Sequence, residues 1–404
     1  MDTIVWYKKS EGLRSMEFVI EQEKIVKELN ALSSYVLGSN AFMQQDNFKF
    51  KTSGKKIQVS SYNGENSILF ELDGEVLTEG ELVTPGKILS SLILNLQTGK
   101  LNFKKDDHSN QLLVTGSNIE YNFPLVNEGD WLDVLYSEEE SFIMPSKTLI
   151  KNINKVTKAA ATRDNQRPLL EGTLFVIDNT DITLAATDAF RMCIRSFEHH
   201  GVNFQEEYGC IVHSKTLDIL SKLIKLECTE DVSVKIAFEK GKRVYFEVEN
   251  MFLIVAPILG EREKFPDWKR FIPKQLAVDV LIDRKEFVES HKRESLFIEN
   301  QFKEPVILTF EASGMVNLHV GPTIYGEADE DLTVGEVKVF NNDKPYRIGL
   351  NTSFLQDGVS IIDNKNIRMR TTPEDGMQLI MLTESNEELN NLKNFYIAMP
   401  LRFK

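Results

Sequence analysis

The chain has 404 residues, 42% hydrophobic and 27% charged, with a formal net charge of −14 at pH 7. That length suits two to three domains that each bury a core, and that composition excludes a disordered chain. No apolar run is long enough to span a bilayer, and only Cys193, Cys210 and Cys228 occur, without C-x-x-C spacing. A disulfide framework or structural zinc is therefore not expected, and a reducing cytoplasm is the expected location.

The first fifteen residues mix Trp6, Lys8, Lys9 and Glu11 without an apolar centre, so no secretory signal is expected. Beyond them one plan recurs three times. Met16 to Leu29, Ser141 to Val156 and Val278 to Ser290 each read as a short alternating strand, a polar turn and an amphipathic helix. A second strand-then-helix signal follows within each unit, at Leu82 to Ile93, Cys210 to Leu220 and Ile348 to Asp357. Strand-like runs with turn residues fill the remainder, as in Val232 to Phe238, Gly241-Lys242 and Val244 to Val248. Each unit thus reads as two helices plus roughly eight strands, mostly joined by hairpins. Polar stretches near Tyr136 to Glu140 and Pro273 to Gln275 set the expected boundaries, giving domains of 1–137, 138–273 and 274–404. The predicted class is α+β, with three tandem similar domains of two helices packed on antiparallel sheets.

An acidic chain is a poor overall match for nucleic acid, yet one concave surface can still be basic. On the first helix of the middle unit Leu149, Ile153, Val156 and Ala160 form an apolar stripe. Lys147, Lys151, Lys155 and Lys158 form a second stripe on another face. The second helix of that unit adds Lys215, Lys222 and Lys225. The first unit supplies Lys24, Lys27 and Lys87 from equivalent positions, and the third supplies Arg284, Lys285 and Lys292. Such stripes read either as solvated helix faces or, if the units close into a ring, as a common lining that meets phosphates without reading sequence.

No catalytic constellation assembles. Gly80 to Ile88 approaches a phosphate-binding loop but has five residues between its glycines and Ile88 where a magnesium-holding hydroxyl is needed. His199-His200-Gly201 has no carboxylate at matching spacing, and Asp188 reads as a turn cap without an acid–base partner. Neither a metal nor a cofactor is expected.

The middle unit carries a resemblance. Arg167-Pro168-Leu169-Leu170-Glu171-Gly172-Thr173-Leu174-Phe175, followed by Ala186-Thr187-Asp188-Ala189-Phe190-Arg191-Met192, resembles the bacterial DNA polymerase III beta subunit, the DNA sliding clamp family. Phe265-Pro266-Asp267-Trp268-Lys269-Arg270-Phe271-Ile272-Pro273 is similar to that family's connector into its third domain. Ile348 to Leu355 and the terminal Met399-Pro400-Leu401-Arg402-Phe403 resemble two further stretches, in the expected order. The likeness runs from about Met16 to the end and is strongest in the second and third units. Departures are Asn40 to Asp46 in place of a P-x-L-x-G segment, about fifteen additional N-terminal residues, Phe190 where His or Asn is common, and Phe354 where Tyr is common. They mark a diverged or accessory member.

The resemblance implies a head-to-tail homodimer closing into a ring of six domains around double-stranded DNA. The lining would draw on Lys24, Lys27, Lys87, Lys147, Lys151, Lys155, Lys215 and Lys222. The interface would pair Tyr121 and Phe123 of one protomer with Leu296 and Phe297 of the other. DNA polymerases and the clamp loader would dock short peptides into a pocket between the second and third domains. Carried over by position, its residues are Leu170, Thr187, Phe190, Arg191 and Met192, then Pro266, Arg270 and Phe271, then Asn351 and Phe354, and finally Ile397, Met399, Pro400, Leu401 and Arg402. Mostly apolar walls with a few orienting polar groups suit that task. The rival reading is an adaptor that keeps the fold and the peptide pocket but does not close on DNA.

Overall fold

The computed structural model describes residues 15–35, 47–63, 66–106, 108–126, 140–164, 166–199, 207–248, 252–261, 264–301, 303–334, 336–340, 344–373, 377–384, 388–389 and 392–403. The additional N-terminal residues, the departure at Asn40 to Asp46 and most of the boundary at Tyr136 to Glu140 fall outside them.

Six α-helices occur among the described residues, and each follows a strand as the sequence pattern requires. They are α1 (Gln22–Tyr35), α2 (Gly86–Leu94), α3 (Ser146–Val156), α4 (Ser214–Glu227), α5 (Arg284–Glu294) and α6 (Thr352–Ser360). Burial alternates along Glu17–Glu21 and Val278–Asp283, so each strand buries one face before the chain turns into its helix. Three of the junctions are visibly capped by carboxylate or amide side chains. Asp283 accepts from the backbone N–H of Lys285 and Glu286, and Asn351 from those of Ser353 and Phe354. At α3 the cap comes from far along the chain, because Asp231 accepts from the Ser146 hydroxyl at 3.0 Å and from the Lys147 N–H at 2.9 Å. Entry into α2 needs Gly86, where a Cβ would meet the Phe48 ring at 2.6 Å.

The chain divides into two compact units, one of Met1–Leu149 with Thr216–Ile258 and one of Ile150–Lys215 with Leu259–Lys404. These cut through the middle repeat of the sequence, since its strands extend sheets begun by its neighbours. In the first unit, Phe252–Val255 pairs antiparallel with Ser67–Phe70. That pairing joins Glu140–Pro145, Ser233–Glu239 and Arg243–Val248 to the sheet of Asn47–Ser53, Lys56–Tyr62, Ser67–Asp73 and Glu81–Pro85. A second sheet of this unit ends on the edge strand Ile119–Pro124. Phe18 stacks on Phe103 at 4.7 Å between centroids, with Phe50 at 6.0 Å, and α1 is tied to α2 by Gln22 Nε2 donating to the Ile93 carbonyl at 2.8 Å.

In the second unit, Arg191–Glu198 pairs antiparallel with Asn394–Ala398. The resulting sheet runs from Tyr208–His213 through Gly172–Ile177, Asp181–Thr187 and the C-terminal strand to Ile380–Glu384, Asn366–Thr371 and Val278–Asp283. A four-stranded antiparallel sheet completes the unit, its edge strand being Gly326–Thr333. Here α5 meets α6 through buried His291, whose Nε2 donates to the Thr352 carbonyl at 3.1 Å. Burial holds that imidazole below its usual pKa, which keeps it neutral, and the hydrogen bond to Thr352 works in the opposite direction.

Candidate functional site

The second unit brings together most of the residues that the sequence singles out. The turn joining Asp181–Thr187 to Arg191–Glu198 is organised by Asp188, whose Oδ1 accepts from the N–H of Phe190 and of Arg191, each at 2.9 Å. Thr187 donates its hydroxyl to the Arg191 carbonyl at 2.7 Å and accepts from the Ala189 N–H at 3.0 Å. Ala189 sits at φ 75°, a backbone state that costs an L residue roughly 1–2 kcal/mol and that these bonds hold. Asp188 therefore serves as the expected turn cap. The turn leaves Phe190 at its tip, 60% exposed.

Arg191 points the other way. Its Nε donates to Asp188 at 2.9 Å, its Nη1 donates to Asp357 on α6, and its guanidinium lies 4.4 Å from the centre of the Phe354 ring. The cap residue Asn351 is buried, and its Nδ2 makes no hydrogen bond among the described residues. One arginine thus joins the turn to the first turns of α6.

The chain end lies alongside. Met192 is opposite Ile397 and Arg191 opposite Ala398 in the sheet. Past it, the Met399 N–H donates to the Phe190 carbonyl and the Leu401 N–H to the Gly349 carbonyl, each at 2.8 Å. Gly349 is a steric requirement, because a Cβ there would meet the Phe403 ring at 2.6 Å. Arg347 covers the same ring at 5.2 Å. Met399, Pro400 and Leu401 stay half-buried, while Arg402 is exposed.

Beneath, Met192 and Ile397 belong to a buried cluster with Leu174, Val176, Phe265 and Met381, and Phe271 packs on it from the short turn Trp268–Phe271. Pro266 is half-buried beside that turn, and Arg270 is exposed with Nε 3.2 Å from Asp267. Leu170 is buried, but it is its neighbour Leu169 that packs on the cluster. Half-exposed apolar walls with fixed polar groups can hold a short apolar peptide. Nothing in the arrangement pairs a nucleophile with a base.

Residues 143–267 match the model of the DNA polymerase III beta subunit central domain, and residues 269–400 match that of its C-terminal domain. The chain belongs to the DNA polymerase III beta subunit family. The beta sliding clamp of Rickettsia felis is 23% identical over 393 residues, covering 96% of this chain and all of the relative. That of Staphylococcus aureus strain N315 is 22% identical, over 88% of this chain and 92% of its own. Among solved structures, the DNA polymerase sliding clamp of Bacillus subtilis superimposes with a TM-score of 0.87 at 17% identity, covering 97% of this chain and all of that one. A Pseudomonas aeruginosa sliding clamp bound to griselimycin gives 0.83 at 20%, covering 96% and 100%.

The lysines carried over as the DNA lining of a beta subunit divide by exposure. Lys24, Lys27, Lys87, Lys147, Lys151, Lys215 and Lys222 are exposed, but Lys155 is buried and corrects the expectation of one continuous solvated stripe. Its Nζ lies 2.7 Å from Asp363, and Lys151 meets the same carboxylate oxygen at 2.7 Å. Burial holds the Lys155 ammonium below its usual pKa, with Asp363 working against that shift. Of the four lysines in the stripe, Lys147, Lys151 and Lys158 reach solvent, whereas Lys155 lies nearest in angle to the apolar stripe and is covered where it meets Asp363.

The interface residues divide similarly. Leu296 is 74% exposed, with Phe297 half-buried beside it, and Tyr121 is exposed on the edge strand Ile119–Pro124. Phe123 is buried at 6% exposure within its own unit, so of this pair Tyr121 is the one that reaches solvent in the single protomer. Alternation puts Tyr121 and Phe123 on the same side of the strand, and Phe123 lies where that side is covered.

Asp357 and Asp363 carry no signal in the sequence, and Phe403 stands there only as the last residue of the terminal motif. Arg191 and Asp357 are 166 positions apart, and no local spacing signals such a pair. His199 is buried with Nε2 2.7 Å from the Asp178 carbonyl, and His200 lies outside the described residues. No group of three metal-binding side chains occurs among the described residues, and none of the described helices is long and apolar enough to cross a membrane.

Proposed function

We propose that this chain is a DNA sliding clamp, a tether and not a catalyst, which encircles duplex DNA and keeps a polymerase on it. Three clamp domains, 1–137, 138–273 and 274–404, would occur twice in a head-to-tail dimer. Exposed lysines on the helices, Lys24, Lys27, Lys87, Lys147, Lys151, Lys215 and Lys222, would face the phosphates. Contacts of that kind carry no base information and allow sliding.

The groove of Thr187 to Met192, Phe271, Asn351, Phe354 and Met399 to Leu401 supports this reading most strongly. Two backbone hydrogen bonds, from Met399 and Leu401, hold this segment beside the turn and the apolar cluster below it. Polymerases and the clamp loader would dock apolar peptide tails there, and half-buried methionine lets one surface accept several sequences. The related Pseudomonas aeruginosa clamp was solved with griselimycin bound, which is consistent with ligand binding in the family. Retention on DNA is the test. Clamp loaded onto nicked circular DNA should stay through gel filtration and be released when the circle is linearised. Release from both forms alike would leave a peptide-binding adaptor.

A further inference from the structure

The end of the second unit that carries Leu296 has an unusual composition. Leu296, Ile324 and Tyr325 are 74%, 71% and 58% exposed, and Thr323 holds this corner together by donating to the Phe297 carbonyl at 2.7 Å. The adjoining edge strand Gly326–Thr333 carries Glu327, Asp329, Glu330 and Asp331. Only two cationic or potentially cationic groups are paired with these carboxylates in the described structure. Arg293 chelates Glu330 at 2.6 and 2.7 Å, and His319 Nδ1 lies 3.0 Å from Asp329. Behind them Glu294 is fully buried, with both carboxylate oxygens lacking a hydrogen-bond partner.

The edge strand expected to meet this end offers no compensation. Ile119–Pro124 contains no lysine or arginine, and its exposed Glu120 adds another carboxylate. Apolar groups would draw the two faces together while their charges repel.

Resting on the dimer reading above, we propose that closure of this ring is opposed by like charge, so that subunit association tightens when carboxylates are screened or protonated. An interface of complementary charge would behave oppositely, weakening with salt. The protonation arm runs through Glu294, which burial first, then Glu330 and Asp329, push up to about 7. His319 and Arg293 oppose that shift, and His291, one turn earlier on α5, is engaged with Thr352. Glu294 adds a further negative charge to this end as pH rises through about 7, so the repulsion between the two faces is weakest below that pH.

The test is the dimer dissociation constant of the full chain by sedimentation, from about 0.05 to about 0.5 M NaCl. Wild type should associate roughly tenfold more tightly across that range, and more tightly at about pH 6 than at about pH 8. Glu120→Lys should tighten the dimer at low salt and flatten or reverse the salt dependence. Glu294→Gln should reduce the pH dependence while leaving the acidic limit in place. Association that weakens with salt and ignores Glu120→Lys overturns the proposal, as does a monomer under every condition. Leu296→Asp separates the two readings. Monomers from that variant, beside a wild-type dimer whose affinity ignores salt or falls with it, would sink only the charge inference, whereas an unchanged particle mass would sink the interface itself.

Discussion

The groove at the chain end and the acidic apolar end differ in how completely each is finished by its own chain. In the groove, Asp188, Thr187 and Asp357 occupy the donors of the turn and of Arg191, and the tail is fixed by hydrogen bonds from Met399 and Leu401, while Asn351 Nδ2 keeps no hydrogen-bond partner among the described residues. At the acidic end, Leu296 and Ile324 stand in solvent and a buried glutamate lacks partners. A site finished in advance costs little to order and can exchange ligands readily. A surface left open by exposed apolar side chains is completed by association.

The largest way to break that comparison is to poison the open end. Replacing Leu296 and Phe297 with Asp should raise the dimer dissociation constant by at least about a hundredfold, since each fully buried apolar side chain is worth roughly 1.5–3 kcal/mol. Peptide binding should be unchanged, because the groove lies elsewhere in the second unit. Sedimentation and fluorescence anisotropy on the same sample check both halves. The converse variant removes Met399 to Lys404. It should keep the dimer mass and lose binding of a tail peptide rich in Gln, Leu and Phe, by tens of fold or more, because one wall of the groove is gone.

The six strand-then-helix junctions were legible because a switch from period two to period 3.6 is a local signal. Phe190 and Leu296 were named only through the family resemblance, and their exposure at a turn tip and past a helix end is supplied by the structure. What could not be read was which lysine on α3 reaches water. Lys147 and Lys155 carry the same charge on one helix, and only the approach of Asp363 from a distant loop makes the second a buried partner. The burial of Phe123 is hidden from the sequence for a related reason: alternation assigns a side chain to a face, but coverage of that face is a tertiary property.

A smaller effect follows from this division of lysines. Lys147→Glu with Lys215→Glu should weaken retention on DNA and lower its salt slope, without loss of stability, since both side chains are exposed. Asp363→Ala should do something different and lower thermal stability by about 2 kcal/mol, because it strands a buried ammonium while Asp363 itself is only partly covered. Lys155→Met should restore most of that loss in the Asp363→Ala background, as a desolvated charge is replaced by an apolar chain of similar length. Calorimetry of the three variants separates a structural lysine from a DNA-facing one. A Lys155→Met protein with normal stability but poor DNA retention would reverse the assignment.

The finest test concerns pre-organisation. Asp357 is half-buried on α6. It acts on Arg191, which it holds together with Asp188 while the guanidinium lies over Phe354. Asp357→Asn keeps the size and one oxygen acceptor but removes the charge. The arginine should then stay tethered to Asp188 yet move more freely across the aromatic ring, and the wall between the turn and α6 loosens. Peptide affinity should fall about fivefold, on the scale of roughly 1 kcal/mol for a charge-assisted bond made neutral. The loss should appear mainly in a faster dissociation rate, because most affinity changes within one interface do. Asp357→Glu should recover part of it. Equal loss with Asn and Glu would mean that the shape of α6 is what matters, and no change with either would mean that the groove is held by Asp188 alone.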